Sequence, residues 1–146
     1  MKSAQVAAPL GAAPRERTSE GVRSRNVAQR VAELRWGGNA AAAPRCGEAR
    51  GAGNLIVQVG LWPDASGRVQ RARWRATTCA SLMAYADLAC ELLESGVAPA
   101  ALDAHALQAG LPGVHPLHLD RADLIVRAVR AACESKAETQ TQGRSS

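Results

Sequence analysis

The stretch VQRARWRATTCASLMAYADLACELLES, residues 69–95, changes from a strand-type to a helix-type pattern at a single cysteine. In its first half the side chains alternate between two faces, with Val69, Arg71, Arg73 and Arg75 on one and Ala72, Trp74 and Ala76 on the other. This period of two is typical of a half-buried strand. From Leu82 onward the apolar residues recur three and four apart, which predicts a helix. The stretch therefore predicts a strand that leads directly into a helix.

Cys79 lies at this junction, and we expect it in the first turn of the helix behind Thr78 as the N-cap. A helix N-terminus carries a partial positive charge and free N–H groups, and both favour an anionic thiolate. The thiolate is the form of cysteine that attacks electrophiles and binds metals. Cys79 is therefore the first candidate for a functional residue.

The chain before this stretch predicts a helix, a loop and a strand. Residues 25–36 have helical spacing, with Ser24 as the expected N-cap and Gly37-Gly38 as the stop. Residues 39–54 are rich in Gly and Pro and are expected to form a loop that contains Cys46. Residues 54–62 are almost continuously apolar and predict a strand that pairs with residues 68–76 through a turn.

Two further helices follow residue 95. Residues 99–109 have Pro near the start and Gly110 at the end, an asymmetry expected of a helix. Residues 120–134 have one polar row and one apolar row, which predicts an amphipathic helix packed on the core. The order of helix, hairpin and three helices predicts an α+β fold, in which helices cover mainly one face of a small antiparallel sheet.

The composition of the chain limits the number of domains and the cellular location that we expect. The chain has 146 residues and a net charge of +5, and it contains no Phe. We expect one domain over residues 24–134, between disordered tails at 1–23 and 135–146 that have low complexity and no sustained period. The start is a poor secretory signal, and no apolar stretch is long enough to span a bilayer, so a cytoplasmic protein with reduced cysteines and no membrane partner is expected.

The cysteines and histidines differ in whether they can meet at one site. Cys79 and Cys90 are about 16 Å apart along the predicted helix, too far to share a metal. Cys90 and Cys133 lie on apolar helix faces and are expected in the core. Cys46 in the loop and His118 before the last helix could converge with Cys79, and Glu48 could add an oxygen ligand for zinc or iron. His115 is a reserve ligand.

The arginines at 68, 71, 73 and 75 raise the alternative of a nucleic-acid surface. Proteins that bind single strands place aromatic side chains among the charges so that bases can stack on them. Here the alternation puts Trp74 on the opposite face. A solvated strand edge protected by charge is the better interpretation, and no nucleic-acid partner is expected.

Several segments together resemble the NifU/IscU-type iron–sulfur cluster assembly scaffolds. The run GRVQRARWRATTCAS, residues 67–81, is similar to the family's G-x-I-x-x-A-x-F-x-x-x-G-C strand and helix start. Cys46-Gly47-Glu48 is similar to its C-G-D loop, and LPGVHPLHLDRADLIVRAVRAA, residues 111–132, to its L-P-x-x-K-x-H-C segment and final helix. The resemblance covers about residues 24–133 and implies the SufE/NifU-like form of the α+β fold.

The chain departs from the family pattern at each ligand position except Cys79. An ungapped match would set Gly53 where the first cysteine stands, because Cys46 comes a few residues too early. Glu48 replaces the Asp, Thr78 replaces the Gly before the second cysteine, and His118 stands at the third cysteine. The resemblance thus implies a metal site of Cys79, Cys46, His118 and Glu48.

The function implied is a scaffold, not an enzyme, that transiently binds iron or an iron–sulfur cluster and transfers it to apo-proteins. A cysteine desulfurase would supply sulfur, and a chaperone or an apo-protein would receive the cluster. The alternative is a cluster-free or zinc-stabilised interaction protein with the same fold. A thiol enzyme that uses Cys79 is a third hypothesis, for which the sequence offers no evident base.

Overall fold

A computed structural model describes residues 25–145, with side chains up to residue 135. Three strands form one antiparallel sheet in the order β1-β2-β3: β1 (Arg45–Gly51), β2 (Leu55–Pro63) and β3 (Val69–Ala76). Four helices complete the fold: α1 (Val27–Ala32), α2 (Ala80–Glu94), α3 (Ala104–Ala109) and α4 (Arg121–Ser145). The predicted α+β class with a small antiparallel sheet is confirmed. The tail predicted for residues 1–23 and the Ser24 cap lie outside the described residues.

The two long helices pack on the same face of the sheet. Helix α4 lies against β1 and β2, and α2 lies against β3. The strand residues that face these helices are almost fully buried: Ala49, Val57, Val59, Leu61, Ala72 and Trp74. Glu48 and Arg75 of the opposite face are exposed, and Gln58 between them is half-buried. This alternation gives the domain one apolar sheet face, as the sequence predicted for β3.

The loop expected over residues 39–54 is instead mostly strand β1. Seven residues pair in register with β2, from Arg45 opposite Leu61 to Gly51 opposite Leu55. The small residues Gly47, Ala49 and Gly51 all face α4, and a Cβ on Gly47 would overlap the α4 backbone at Ala128 and Ala132. The glycines that suggested a loop are therefore needed because a helix lies directly on this strand.

The hairpin between β2 and β3 is closed by Asp64. Its Oδ1 accepts hydrogen bonds from the backbone N–H groups of Ser66 at 2.9 Å and Arg68 at 3.0 Å. The pairing shifts by one residue at Trp62 and Pro63. Because of this bulge, Val69 is buried with Ala72 and Trp74, although simple alternation grouped it with the arginines.

Three helix boundaries differ from the prediction. Helix α1 has only six residues: it begins after Asn26, which is its N-cap and forms a capping box with Gln29, and it ends before Glu33, its C-cap. The segment predicted as one helix over 99–109 is a 3-10 turn (Pro99–Ala101) followed by α3, whose cap is the Asp103 side chain. Helix α4 continues to Ser145 instead of ending near residue 134, through residues that are mostly good helix formers.

Helix α2 carries three carboxylates that bind neighbouring segments, those of Asp87, Glu91 and Glu94. Asp87 accepts hydrogen bonds from the backbone N–H groups of Arg35 and Trp36, at 3.1 and 2.8 Å. Glu94 accepts from the Ala72 backbone N–H at 2.8 Å. Trp36 to Gly38 then run beside β3, where Gly37 forms a parallel bridge with Trp74. Between residues 25 and 145, none of the helices combines the length and the apolar character needed to cross a membrane.

Candidate functional site

Cys79 occupies the junction of β3 and α2, as the sequence predicted, but it is itself the N-cap residue of α2. Its backbone is extended, and its carbonyl oxygen accepts the first helical hydrogen bond from the Met83 N–H at 2.9 Å. Its thiol does not cap the helix, and the residue is half-buried. The Thr78 cap predicted from the sequence is thus displaced by one residue, and the sulfur remains available to other groups.

Arg121, the first residue of α4, lies against this thiol. Burial lowers the pKa of Arg121, but its hydrogen bond to Asp120 and the proximity of Cys79 outweigh that effect and raise the pKa. The Arg121 Nη1 to Asp120 Oδ1 distance is 2.7 Å. A positive group therefore stands next to Cys79 and brings the start of α4 to the start of α2.

His118 also contacts the start of α2, from the segment that precedes α4. It ends the 3-10 turn Pro116–His118 directly before α4, and its Nδ1 lies 3.1 Å from the hydroxyl of Ser81 in the first turn of α2. Ser81 is buried and His118 is half-buried. Cys79 and His118 thus belong to the adjoining starts of α2 and α4, which two separate contacts bring together.

Thr77 joins the turn between β1 and β2 to this region. Its hydroxyl accepts a hydrogen bond from the Ile56 N–H at 2.9 Å and lies 3.4 Å from the Asn54 carbonyl oxygen. Gly53 and Asn54 both have positive φ in this turn, at 74° and 64°. We call Thr77, Cys79, Ser81, His118 and Arg121 the Cys79 corner. Gly53, which an ungapped family match sets at the first cysteine position, lies in the adjoining turn.

Cys46 and Glu48 lie elsewhere. In β1 they alternate with Gly47 and Ala49, so they are on the sheet face that points away from α2 and α4. Glu48 is held by hydrogen bonds from Arg50 at 2.8 Å and Gln58 at 3.3 Å, and these bonds lower its pKa. Burial, with the nearby Glu48 charge, raises the pKa of the Cys46 thiol.

The distance along the sheet also separates Cys46 from Cys79. Cys46 pairs with Gly60, and Gly60 pairs with Arg73, which precedes Cys79 by six residues. The three residue-to-residue steps from Arg73 to Ala76 alone span about 10 Å. In the part of the chain that the structure describes, no three His, Cys, Asp or Glu side chains form a group that could hold a metal ion. The four predicted ligands are therefore not brought together, whereas Cys79 and His118 share one corner.

Cys90 and His115 lie where the sequence placed them, whereas Cys133, expected in the core, is only partly buried at its edge. Cys90 is completely buried, and burial raises its thiol pKa strongly. Cys133 packs against the core from α4 and is half-buried. His115 is exposed, with its ring centroid 5.8 Å from that of His118. His105 is exposed on α3.

The sequence interpretation missed Ser81, Arg121 and Thr77. One signal for Arg121 was present, since a cation in the first turn of a helix opposes the helix dipole and so needs another reason to be there. Ser81 and Thr77 had no such signal, because their partners are 37 and 21 residues away along the chain.

Comparison with known proteins identifies no relative, since no protein-family model and no curated protein matches the chain. The resemblance to the scaffold family therefore remains a prediction from the residues themselves.

Proposed function

We propose that this protein is a scaffold that binds iron or a nascent iron–sulfur cluster at the Cys79 corner and passes it to apo-proteins, with no catalytic turnover of its own. The observation that carries the proposal is that Cys79 and His118, a thiol and an imidazole from two helix starts, are held at one corner. Both side-chain types bind iron in proteins.

A protein that supplies only two ligands is better suited to transferring a cluster than to storing one. Stable clusters are held by four protein ligands. A cluster bound by Cys79 and His118 would have to take its other ligands from sulfide, from small thiols or from the receiving protein. The two protein ligands can then be exchanged one at a time, which makes release to an apo-protein feasible.

Arg121 is the positively charged residue of the Cys79 corner. Its guanidinium lies beside the Cys79 thiol. Because a thiolate sulfur has more than one lone pair, it can bind iron while the Arg121 guanidinium stays beside it. The proposal retains a cysteine desulfurase as the sulfur source and an apo-protein or chaperone as the recipient, as the family resemblance implies.

The test is anaerobic reconstitution with iron, sulfide and a reduced thiol. Wild-type protein is expected to become coloured and to retain iron and sulfide after desalting. Cys79→Ser and His118→Ala should each lose most of both. Cys46→Ser is the matched control and should bind as the wild type does, because its thiol is on the other sheet face. A colourless, metal-free wild type after reconstitution would overturn the proposal.

A second candidate is a cluster-free or zinc-stabilised interaction protein with this fold. Its cluster-free form is favoured by the absence of any group of three potential ligands among the described residues. Metal content separates the two: stoichiometric zinc in the purified protein, with unfolding on chelation, would support a structural zinc site. A protein that keeps its melting temperature in a chelator and takes up no iron would support the cluster-free form.

A further inference from the structure

We propose that the sheet face that points away from α2 and α4 binds a single strand of nucleic acid, through the ring of Trp62 and the guanidinium groups of Arg71 and Arg75. The proposal goes beyond the scaffold function and does not depend on it, because these residues lie on β2 and β3 and not at the Cys79 corner. It follows from the pairing of two strands, which the pattern of one strand alone does not show.

An aromatic ring and a row of arginines share this side of the sheet. Residues directly opposite each other in an antiparallel pair point to the same face. Trp62 of β2 lies opposite Arg71 of β3, and the next two residues of β3 on this face are Arg73 and Arg75. The Arg71 Cζ is 5.1 Å from the centroid of the Trp62 ring. We call Trp62, Arg71, Arg73 and Arg75 the basic face. Alternation within β3 set Trp74 apart from the arginines, but β2 provides a ring on their side.

Two of the three arginines have no acidic partner among the described residues. Arg73 reaches Glu94 at 2.7 Å, whereas Arg71 and Arg75 are exposed and form no ion pair with a described carboxylate. Glu48 also lies on this side of the sheet, but neighbouring side chains already bind it. Alternate residues of a strand are about 7 Å apart, so the three positive side chains repel one another. An anionic ligand would remove this repulsion.

The surface at the basic face has two hollows. One of about 470 Å³ lies beside Trp62 and Arg71, and one of about 400 Å³ lies beside Arg75. Residues 37–43 run between them, have only Gly, Asn and Ala side chains, and lie on Gly60. Because this segment has no large or charged side chain, an extended ligand can pass over it and contact both hollows.

A single strand of nucleic acid fits these features better than an acidic protein does. Proteins that bind single strands combine a positively charged groove for the phosphates with aromatic rings on which bases stack. A base that stacks on Trp62 can replace the Arg71 guanidinium there, which is then free to bind a phosphate. Arg75 can bind a second phosphate further along the strand. Carboxylates of an acidic protein would use the arginines but would leave the Trp62 ring without a stacking partner.

Fluorescence anisotropy of dye-labelled oligonucleotides tests the proposal on the full chain. Oligouridylate and oligothymidylate of about 12 nucleotides distinguish RNA from DNA, and saturable binding of at least one is expected. Trp62→Leu should weaken binding by about 5- to 150-fold, the effect of losing one stacked base, without changing the salt dependence. Trp62→Phe should recover most of the affinity. Thermal unfolding curves show whether the variants are folded.

The salt dependence of binding tests the part of the arginines. Arg71→Gln and Arg75→Gln should each reduce the slope of log affinity against log salt concentration by about 0.7, the value for one phosphate of a single strand. The matched control is Arg127→Gln on the exposed face of α4, which removes the same charge. It should leave the slope as in the wild type.

Polyglutamate of similar length is the competitor that represents an acidic protein, and it should not displace the oligonucleotide. Displacement by polyglutamate at equal concentration, or wild-type affinity in Trp62→Leu, would overturn the proposal, because charge alone would then explain binding. The absence of binding by the wild type at about 50 mM salt would overturn it as well.

Discussion

Arg30 Nη1 donates a hydrogen bond of 3.0 Å to Asp87 Oδ2, and both side chains are completely buried. The other Asp87 oxygen accepts from the Trp74 indole at 3.0 Å and from two backbone N–H groups of the segment after α1. Arg30 also reaches Glu91 Oε1 at 2.7 Å. One carboxylate therefore joins α1, the segment beside β3, and the sheet to the central helix.

Asp87→Ala is expected to lower the free energy of unfolding by about 3–5 kcal/mol, because it removes one of the two partners of the buried Arg30 guanidinium and the acceptor of the Trp74 indole and two backbone N–H groups. Guanidinium chloride denaturation measures this value. The matched control is Asp123→Ala on the exposed face of α4, expected within about 0.5 kcal/mol of wild type.

A double variant distinguishes the charge from the packing. Arg30→Met with Asp87→Leu removes both charges and should be less destabilising than Asp87→Ala alone, since no fully buried charge is then left unpaired and Glu91, the other partner of Arg30, is partly exposed. If Asp87→Ala and Asp123→Ala prove equally mild, the buried pair does not hold the fold as the structure indicates.

The sequence could not have predicted this pair. Arg30 and Asp87 are separated by 57 residues, and on a helical wheel Asp87, Glu91 and Glu94 form an ordinary polar row. Local periodicity reports which side chains are polar, but it does not report whether a second segment will cover them. The same limit applies to Ser81 and His118, whose contact depends on where the start of α4 is placed.

Gly47→Ala is expected to destabilise the fold by about 1–3 kcal/mol or more, since the added methyl group would overlap the α4 backbone. Gly37→Ala is the matched control. Its methyl group would meet the Trp74 ring at 3.5 Å, an ordinary contact, and Gly37 does not have positive φ. Thermal unfolding of both variants checks the difference. Equal stability of the two would mean that α4 does not lie directly on β1.

The glycines of β1 also show which part of the fold the sequence could predict. Strands β2 and β3 and helices α2 and α4 have apolar patterns of their own, so their existence follows from periodicity. Strand β1 has none, because close contact with α4 requires Gly47, Ala49 and Gly51 at the positions where large apolar residues normally signal a strand. Because this segment is a strand and not a loop, Cys46 and Glu48 lie on the far face of the sheet, where they do not reach Cys79.

Thr77→Val should cost about 0.5–1.5 kcal/mol, because the Ile56 N–H loses its hydroxyl acceptor. Thr78→Val is the control at the neighbouring position, whose exposed hydroxyl makes no hydrogen bond with the described residues. Urea denaturation compares the two. Amide hydrogen exchange at Ile56 should be faster only in Thr77→Val, and equal exchange in both variants would contradict the link between Thr77 and the β1–β2 turn.

The four cysteines should react with iodoacetamide at different rates in the native protein. Only the thiolate reacts, so a raised pKa slows the reaction at neutral pH. Burial raises the thiol pKa of Cys46, Cys90 and Cys133, most strongly for Cys90. We expect Cys79 to be alkylated first at pH 7.5, Cys46 and Cys133 several-fold more slowly, and Cys90 only when the protein unfolds.

Mass spectrometry of peptides from timed reactions measures these rates. The rates of Cys46 and Cys133 should rise about tenfold per pH unit up to pH 9, since the thiolate fraction rises in that proportion below the pKa. In 6 M guanidinium chloride the four rates should become similar, which shows that the fold causes the difference. Rapid alkylation of Cys90 in the native protein, or of Cys46 as fast as Cys79, would contradict the effect of burial on the thiol pKa of Cys90 and Cys46.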